Sequence, residues 1–326
     1  MRVNKILLTL AFLITIVNAQ FSTTPKVGTT VFQFLKVIPN AEAAGLGGIS
    51  STTITTSDAV FYNPAVLVNG ENMQLSLSYL DYFLDVNLKS ASLSINLGNW
   101  GVLGAFLLFN DVGEMDLTTA EAVIFNYETG EFNPGLTGEK FSVNSQCFGM
   151  SYAKRITNQF SFGLNVKYVV EDLYKAKASA FVFDGGVLYE PDFKYFKLGV
   201  MIRNFGKDVK FVDESYPLPQ ELTIGVSSYL VGGERPLIKQ SNNLDILLLY
   251  NINQTRDHSQ QQHLGAEISI GEKLFIRIGR KFYFDEEDFT YGVGINLKKF
   301  RFDYAYNKFG EYLPSVNHIS FSMKIR

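Results

Sequence analysis

The chain alternates apolar and polar residues from position 73 to its last position, in about fourteen short segments. Residues 160–168, for example, read Phe-Ser-Phe-Gly-Leu-Asn-Val-Lys-Tyr. Alternation with period two is typical of β-strands that have one apolar face and one polar face. The pattern therefore predicts an all-β protein built from many short strands.

The connections between the predicted strands are for the most part alternately very short and long. The connection at 231–243 is longer than this pattern requires, and those at 80–84 and 172–176 are shorter. An even number of strands, with tight turns at one end and long loops at the other, is typical of a bacterial outer-membrane β-barrel. The predicted strands are residues 73–79, 85–96, 101–109, 142–155, 160–171, 177–189, 195–204, 221–230, 244–251, 263–270, 273–280, 289–297, 299–306 and 318–326.

The two faces of these strands indicate which side meets lipid. Near the C-terminus, Phe300, Phe302 and Tyr304 share one face, and Arg301 and Asp303 share the other. Many inward-pointing aromatic side chains would overfill a narrow lumen, whereas they fit without crowding against lipid. The sequence therefore predicts a transmembrane antiparallel β-barrel of about 14 strands with its apolar face outward.

Composition supports a membrane barrel and argues against several other classes of protein. Aromatic residues make up 14% of the chain, which suits a lipid-facing wall with interfacial girdles. A net charge of −3 gives no electrostatic basis for nucleic-acid binding. The single cysteine, Cys147, cannot form an internal disulfide, and three histidines leave little material for a metal site. Because the sequence shows no catalytic constellation, we expect a non-enzymatic protein without a cofactor.

The first nineteen residues have the organisation of a secretory signal peptide. A basic start at Arg2 and Lys5 precedes an apolar stretch at 6–17, and small or modest residues lead to a predicted cleavage after Ala19. The apolar stretch is shorter than the roughly 20 residues that a transmembrane helix needs. We therefore predict a cleaved signal peptide at 1–19 and, with the strand pattern, a location in the bacterial outer membrane.

Residues 20–70 lack sustained alternation and are predicted to lie apart from the barrel, which would comprise residues 71–326. Asn40 is a predicted N-cap for a short helix at 41–46, and Gly47 and Gly48 would end it. The periodicity leaves two interpretations open. The segment is either a plug folded into the periplasmic mouth of the barrel or an N-terminal extension packed outside it.

Seven charged residues fall on the predicted inward face of the strands. Uncompensated charge inside a narrow barrel is costly, so we expect these residues to pair and to hold the wall and the plug together. A polar permeation path or a ligand site is the alternative. In either case, the predicted lumen is charged rather than apolar. The seven residues are Lys167, Asp184, Arg203, Glu267, Arg277, Arg301 and Asp303.

The longest predicted loop, residues 110–141, contains more apolar residues than a solvated loop needs. It either folds over the barrel, as loops of this length often do, or presents an apolar patch to a protein partner. The candidate partner-binding residues are Met115, Leu117, Ile124, Phe125, Tyr127 and Phe132.

Several patches of sequence resemble one family, the PorV/PorQ-type outer-membrane proteins. In the N-terminal region, the resemblance rests on Phe34-Leu35, on residues 39–48 with Gly47 and Gly48, and on Asn63-Pro64-Ala65. Further patches lie at 151–153, 160–168, 202–206, 217–219, 263–267 and 303–306. The family's pattern differs at Glu42, where Arg is frequent, and at Arg326, where barrels usually end in an aromatic residue.

This resemblance implies a barrel like that of the long-chain fatty-acid channel FadL, with a plug that contains Asn63, Pro64, Ala65, Gly47 and Gly48. It also implies a role in type IX-like protein secretion, in which the barrel binds, shuttles or anchors secreted cargo at the cell surface. The expected partners are outer-membrane lipid, a secretion translocon and secreted cargo proteins, with the barrel itself monomeric. The alternative function is a FadL-like channel for small hydrophobic molecules.

Overall fold

A computed structural model describes residues 26–48, 50–128, 130–192, 195–233, 235–311 and 313–325. The predicted signal peptide lies outside these ranges. In the described residues, fourteen strands close into one antiparallel barrel, in which β1 pairs with β16. The barrel strands are β1 (Met73–Asp81), β2 (Asn87–Asn96), β3 (Val102–Phe125), β4 (Phe132–Arg155), β5 (Phe160–Asp172), β6 (Lys177–Tyr189), β7 (Phe196–Phe205), β10 (Glu221–Val231), β11 (Leu244–Thr255), β12 (Gln261–Ile270), β13 (Leu274–Phe282), β14 (Phe289–Leu297), β15 (Phe300–Asn307) and β16 (Val316–Lys324).

The predicted fold class is confirmed, with a barrel strand at each of the fourteen predicted positions. Two further strands, β8 (Val209–Lys210) and β9 (Ser215–Tyr216), form a small ladder in the loop between β7 and β10. Within the described residues, no helix is both long and apolar enough to cross a membrane.

The wall is apolar outside and largely polar inside, because side chains alternate along each strand. On β5, Phe160, Leu164 and Val166 are exposed on the outer surface, whereas Ser161 and Asn165 are buried inside. The same alternation holds on β15 and β16. The outer face carries the aromatic and aliphatic residues that a lipid environment favours, so the fold is that of an outer-membrane barrel.

The two ends of the barrel differ in the length of their connections. One end carries the tight turns at 97–101, 156–159, 271–273 and 298–299. The other carries the longer loops, which include 206–220, 256–260 and 308–315. In outer-membrane barrels the short turns are periplasmic and the long loops extracellular, and we name the two ends accordingly.

The largest difference from the sequence prediction is the segment at 110–141, which is not an irregular loop. β3 and β4 are 24 residues each, and they pair with each other out to Phe125 and Phe132. The alternation was hard to recognise because the ladder shifts register three times between Asp111 and Val123. A β-bulge interrupts the period of two on which the prediction depends.

The N-terminal segment, residues 26–70, lies inside the barrel. It contains the helix α1 (Ala41–Gly45) and three 3₁₀ turns at Gln33–Lys36, Ser57–Phe61 and Pro64–Asn69. α1 begins where Asn40 Oδ1 accepts a hydrogen bond of 2.8 Å from Ala43 N. It ends before Gly47 and Gly48, which both adopt the positive φ that glycine favours.

The segment enters at the extracellular end and leaves at the periplasmic end. Lys26 N donates to the carbonyl of Asp257 in an extracellular loop, whereas residue 70 leads directly into β1 at the periplasmic rim. Between these points, α1 contacts β13–β16 and the turn Pro64–Asn69 contacts β4–β6 on the other side. The segment therefore crosses the lumen, and we refer to it as the plug.

Candidate functional site

The plug touches the barrel wall at a ring of inward-facing glycines, which we call the glycine belt. At Gly163, a β-carbon would overlap the backbone of Pro64 and Ala65; at Gly186, it would overlap the side chain of Asn63. Close backbone approach of this kind is possible only where the strand residue has no side chain. The belt consists of Gly163, Gly186, Gly199, Gly225, Gly265, Gly279 and Gly292.

The predicted plug motif residues lie at this contact. Asn63 Nδ2 donates to the carbonyls of Ser51 within the plug and Val187 on β6, at 2.8 and 3.2 Å. Asn63 Oδ1 accepts from Ala65 N and so caps the turn that begins at Pro64. The oxygen of the Asn63 amide thus caps the turn, and its nitrogen fastens the turn to the wall.

Gly47 and Gly48 lie on the opposite side of the lumen. Gly47 faces Gly279 of the belt, and its carbonyl is 2.6 Å from Nδ1 of His263. Gly48 lies beside the Lys281 side chain. The positive φ values and the tight approach explain why glycine occupies both positions.

A buried cluster of five charged residues holds α1 against β12, β13 and β15; we call it the arginine cluster. Arg277 donates to Glu267 and to Asp303, both at 2.6 Å. Arg301 donates to Asp303 at 2.8 Å and to Glu42 of the plug at 3.0 Å. Three carboxylates thus face two guanidinium groups. Because the two arginines extend from the wall toward a plug carboxylate, the cluster links the two parts.

The remaining predicted charges form a second cluster on β5, β6 and β7. Lys167 binds Asp184 at 2.7 Å, and Asp184 also accepts from the amide of Asn165. Arg203 pairs with Glu221 at 2.5 Å and donates to the carbonyl of Phe61 in the plug at 2.9 Å. This cluster also joins the wall to the plug.

All seven predicted lumen residues lie on the inner surface, but the structure divides them between these two clusters. Sequence reasoning missed Glu221, although its inward position follows from alternation with Thr223 and Gly225 on β10. It also missed Asp58, a plug carboxylate that accepts hydrogen bonds from Ser92 at 2.6 Å and Asn40 at 2.7 Å. The plug has no periodicity from which the position of Asp58 could be derived.

In the extracellular half of the lumen, the side formed by β1–β6 is apolar, whereas the side formed by β10–β16 is polar, with Asn253, Gln262 and Asn307 buried on the inner surface. The prediction of a charged rather than apolar lumen therefore does not hold for the β1–β6 side. Inward-facing strand residues there are largely aliphatic, and the plug adds aromatic rings. The prediction failed because neighbouring positions such as Leu107 and Leu108 are both apolar. The sequence pattern then does not indicate which of the two side chains points inward. This upper apolar core includes Phe32, Phe34, Leu35, Leu80, Leu88, Leu108, Val169, Val182, Leu218 and Phe309.

Residues 26–37 lie across the upper apolar core and are fastened by one carboxylate. Lys36, Gln33 and Thr30 donate to Asp257 Oδ2 at 2.8, 3.1 and 3.0 Å. Burial opposes ionisation of Asp257, but the hydrogen bonds from Lys36, Gln33 and His258 outweigh it and hold the pKa of this carboxyl well below its ordinary value. We call residues 26–37 the strap.

The periplasmic half of the lumen contains a polar vestibule of about 1020 Å³. Hydroxyl and amide side chains such as Thr52, Thr56 and Asn296 line it, and it reaches Glu42 and Arg301 at its inner end. The arginine cluster and α1 therefore close the vestibule at its inner end. The lumen thus contains a polar vestibule at the periplasmic end and an upper apolar core along β1–β6, with the plug between them.

The outer surface of the wall has an apolar depression of about 530 Å³ between β1 and β6. Ala91, Ala105 and Leu107 form its floor, and it extends past Gly149 to the inward-facing ring of Phe106. That ring packs edge-on against Phe61 of the plug, with 5.1 Å between the ring centroids. The Phe106 ring therefore lies between the depression and Phe61 of the plug.

The six predicted partner-binding residues lie on the extended β3–β4 hairpin rather than on a loop. Met115 and Leu117 are partly buried, and Met115 is opposite Phe141 near the base of the hairpin. Ile124, Phe125, Tyr127 and Phe132 are exposed at its tip.

Comparison with known proteins shows the fold but no family from sequence. No family model matches the chain, and neither does any curated protein sequence. Among solved structures, the CymD monoaromatic hydrocarbon channel matches 91% of this chain and 99% of its own, with a TM-score of 0.58 and 13% identity. The toluene transporter TodX of P. putida matches 90% and 99%, with a TM-score of 0.58 and 12% identity.

A FadL homologue of Pseudomonas aeruginosa covers 94% of this chain and 100% of its own, with a TM-score of 0.55 and 11% identity. At these identities the similarity shows the fold alone, that of FadL-like outer-membrane barrels. The comparisons give no support to the narrower resemblance to PorV and PorQ, which stays a prediction.

Proposed function

We propose that this barrel is a channel that admits small hydrophobic molecules across the outer membrane. The carrying observation is the upper apolar core, which lies along β1–β6 in the extracellular half of the lumen and is covered by the strap. A porin for polar solutes would have a polar, water-filled interior along its whole length. Solved barrels of the same fold include channels described for monoaromatic hydrocarbons and toluene, which agrees with this proposal.

In the proposed route, a hydrophobic molecule enters when the strap leaves Asp257 and takes the place of plug side chains such as Phe34. The polar vestibule below gives an apolar molecule no favourable site, because its lining would have to lose hydrogen bonds to water. The depression beside Phe106 offers an apolar alternative that would require local opening of the wall, because β3 and β4 stay paired at Phe106 and Gly149.

Uptake into liposomes tests the channel. Liposomes containing the folded protein are mixed with a fluorescent long-chain fatty acid or with toluene, and entry is compared with that into protein-free liposomes. We expect faster entry of both probes and no faster entry of glucose. Faster entry of glucose alone, or no acceleration at all, would refute the proposal.

A pair of residues on β3 supplies the matched control. Leu108 faces the upper apolar core, and Leu103 faces lipid outside the depression. Leu108→Trp should slow uptake several-fold by filling the core, whereas Leu103→Trp should leave it unchanged. Heat-modifiable mobility on a gel confirms that both variants are folded barrels.

A second candidate, type IX-like secretion with this barrel as a binding or anchoring component, is favoured by the long β3–β4 hairpin. The exposed apolar residues at its tip, Phe125, Tyr127 and Phe132, are suited to contact with another protein. A crosslinking pull-down from outer membranes tests it by mass spectrometry. Recovery of a large translocon barrel, or of secreted proteins that share one type of C-terminal domain, supports secretion; recovery of the barrel with lipid or fatty acid alone contradicts it.

A further inference from the structure

The β3–β4 hairpin projects far beyond the rest of the barrel. β3 stops pairing with β2 at Asp111, and β4 stops pairing with β5 at Asn144. Beyond these points, residues 112–128 and 130–141 belong to a two-stranded ribbon, which reaches about 40 Å at roughly 3.3 Å per residue. Both of its edges therefore carry backbone groups that no barrel strand pairs with. Two-stranded ribbons are only marginally stable alone in water.

The tip of the ribbon has an exposed apolar face. Phe125 lies directly opposite Phe132, and Val123 lies opposite Pro134, so all four share one face. Tyr127, which is 90% exposed, packs edge-on against Phe125 with 4.8 Å between ring centroids. Contiguous exposed apolar surface of this kind, distant from the lipid-facing band, marks a site of interaction.

The ribbon is also strongly acidic. It contains Glu114, Asp116, Glu121, Glu128, Glu131 and Glu139, and Lys140 is its one basic residue. Its net charge is therefore −5, compared with −3 for the whole chain, so the rest of the chain carries a net +2. The negative charge is concentrated on the part of the molecule that extends farthest from the membrane.

The negative charge of the ribbon indicates which class of partner can bind it. A lipid surface that carries phosphate is anionic and would repel the ribbon, and a second copy of the ribbon would bring another −5 against it. A protein surface with basic residues around an apolar cleft would complement both the charge and the aromatic tip. The unpaired edges add the capacity to pair with an extended segment of such a partner.

We propose that the ribbon is a docking arm for another protein, which presents an apolar cleft ringed by lysine and arginine. The aromatic tip fills the cleft, and the acidic residues face its basic rim. The ribbon is partly ordered by this contact, since it lacks a packed face of its own. This function is separate from the proposed channel, because the ribbon leaves the barrel ladder beyond Asp111 and Asn144.

Photocrosslinking in the native outer membrane tests the docking arm. A benzoylphenylalanine replaces Phe132, cells are irradiated, and the crosslinked peptide is sequenced. We expect an adduct to one other protein at a site flanked by lysine or arginine. The yield of this adduct should fall as the ionic strength rises. An adduct between two copies of this chain, an adduct to lipid alone, or no adduct would overturn the proposal.

Matched charge variants sharpen the test. Glu121→Lys, Glu128→Lys and Glu131→Lys together reverse the ribbon's charge, and we expect at least a tenfold loss of the adduct. The control triple, Asp208→Lys, Asp213→Lys and Glu214→Lys, makes the same change in the loop between β7 and β10 at the same end of the barrel. Equal loss in both triples, or in neither, would contradict recognition by the ribbon. Heat-modifiable mobility shows that each barrel is folded.

Discussion

At the scale of single residues, the plug is held by buried ion pairs, and removing one partner of such a pair destabilises the protein. The arginine cluster is buried, and its three carboxylates exceed its two guanidinium groups by one charge. Burial raises the pKa of the Glu42 carboxyl, against the attraction of Arg301 and Arg277. An ionised Glu42 therefore costs stability at neutral pH, because a raised pKa in the folded state favours the protonated form. Two charged residues in the same cluster should consequently respond differently to substitution.

Arg277→Met should destabilise the protein by about 3–5 kcal/mol, because it leaves buried carboxylates without their counter-charge. Glu42→Gln should leave stability unchanged or slightly raised, since the neutral amide restores a balance of charge. The measurement is reactivity of a Ser57→Cys thiol in a Cys147→Ser background, together with the thermal midpoint. Ser57 is buried, so fast labelling reports a displaced plug. Equal labelling of the two variants would show that the cluster does not anchor α1.

Adjacent glycines on β6 offer a second comparison. Gly186 belongs to the glycine belt and meets the side chain of Asn63, whereas Gly185 lies next to Leu164 on the outer face at an ordinary contact distance of 3.6 Å. Gly186→Ala should speed labelling of the Ser57→Cys thiol and lower the thermal midpoint by several degrees. Gly185→Ala should change neither. A tolerated Gly186→Ala would mean that the plug shifts easily away from the wall.

At the scale of elements, the strap and the ribbon are two parts that lie outside the closed barrel ladder. The strap depends on a few hydrogen bonds to Asp257 and on the packing of its aromatic rings over the upper apolar core. Phe32 adopts a φ of 52°, which is strained for a bulky residue, and its ring is nonetheless buried. Interactions elsewhere must therefore compensate for this strain, and loss of Asp257 should release the strap first.

Acid should release the strap without unfolding the barrel. The pKa of Asp257 is lower in the folded state than its ordinary value of 3.8. Its contribution to stability is therefore fully present above that pH and is lost progressively as the pH falls from there toward the lower, folded-state pKa. A spin label at Val27→Cys, in a Cys147→Ser background, should stay immobile at pH 3.8 and become mobile only as the pH falls well below it. Asp257→Asn should make the label mobile already at pH 7.

Asp288→Asn is the control for this substitution, because Asp288 forms an exposed ion pair with Arg280 in another extracellular loop. The label in that variant should behave as in the wild type. A label that stays immobile in Asp257→Asn at pH 7 would show that ring packing, and not the carboxylate, holds the strap.

At the scale of the whole molecule, the lumen combines a polar vestibule, a plug and an upper apolar core. The plug crosses the lumen, and its residues are buried against the wall at the glycine belt. We therefore expect the barrel to be closed to ions although its vestibule is large. The fold separates this function from the ribbon, which belongs to the same two strands but lies beyond the barrel.

Planar bilayers test the closed state. The wild-type protein should show no steady ionic conductance of porin size, and Arg277→Met should produce frequent openings as the plug loosens. Deletion of residues 114–139 should not change the conductance, because the barrel ladder is complete at Asp111 and Asn144. A large steady current in the wild type would contradict a lumen closed by the plug.

The sequence by itself determined the number of strands, their antiparallel closure and the face that meets lipid. These properties follow from a period of two, which is local and can be read from neighbouring residues. Inward charges such as Arg277 and Arg301 were found for the same reason. The alternation failed only where both faces are apolar, as at Leu107 and Leu108, or where bulges interrupt the ladder, as in the ribbon.

Only the tertiary structure decided where the plug lies and which charges pair. Glu42 and Arg301 are distant in the sequence, and so are Lys36 and Asp257, and no local pattern relates them. The plug has no period because its side chains fit a wall that surrounds it on all sides. The division of the lumen into polar and apolar regions arises in the same way, since each region is assembled from strand residues and plug residues that meet only once the barrel has closed.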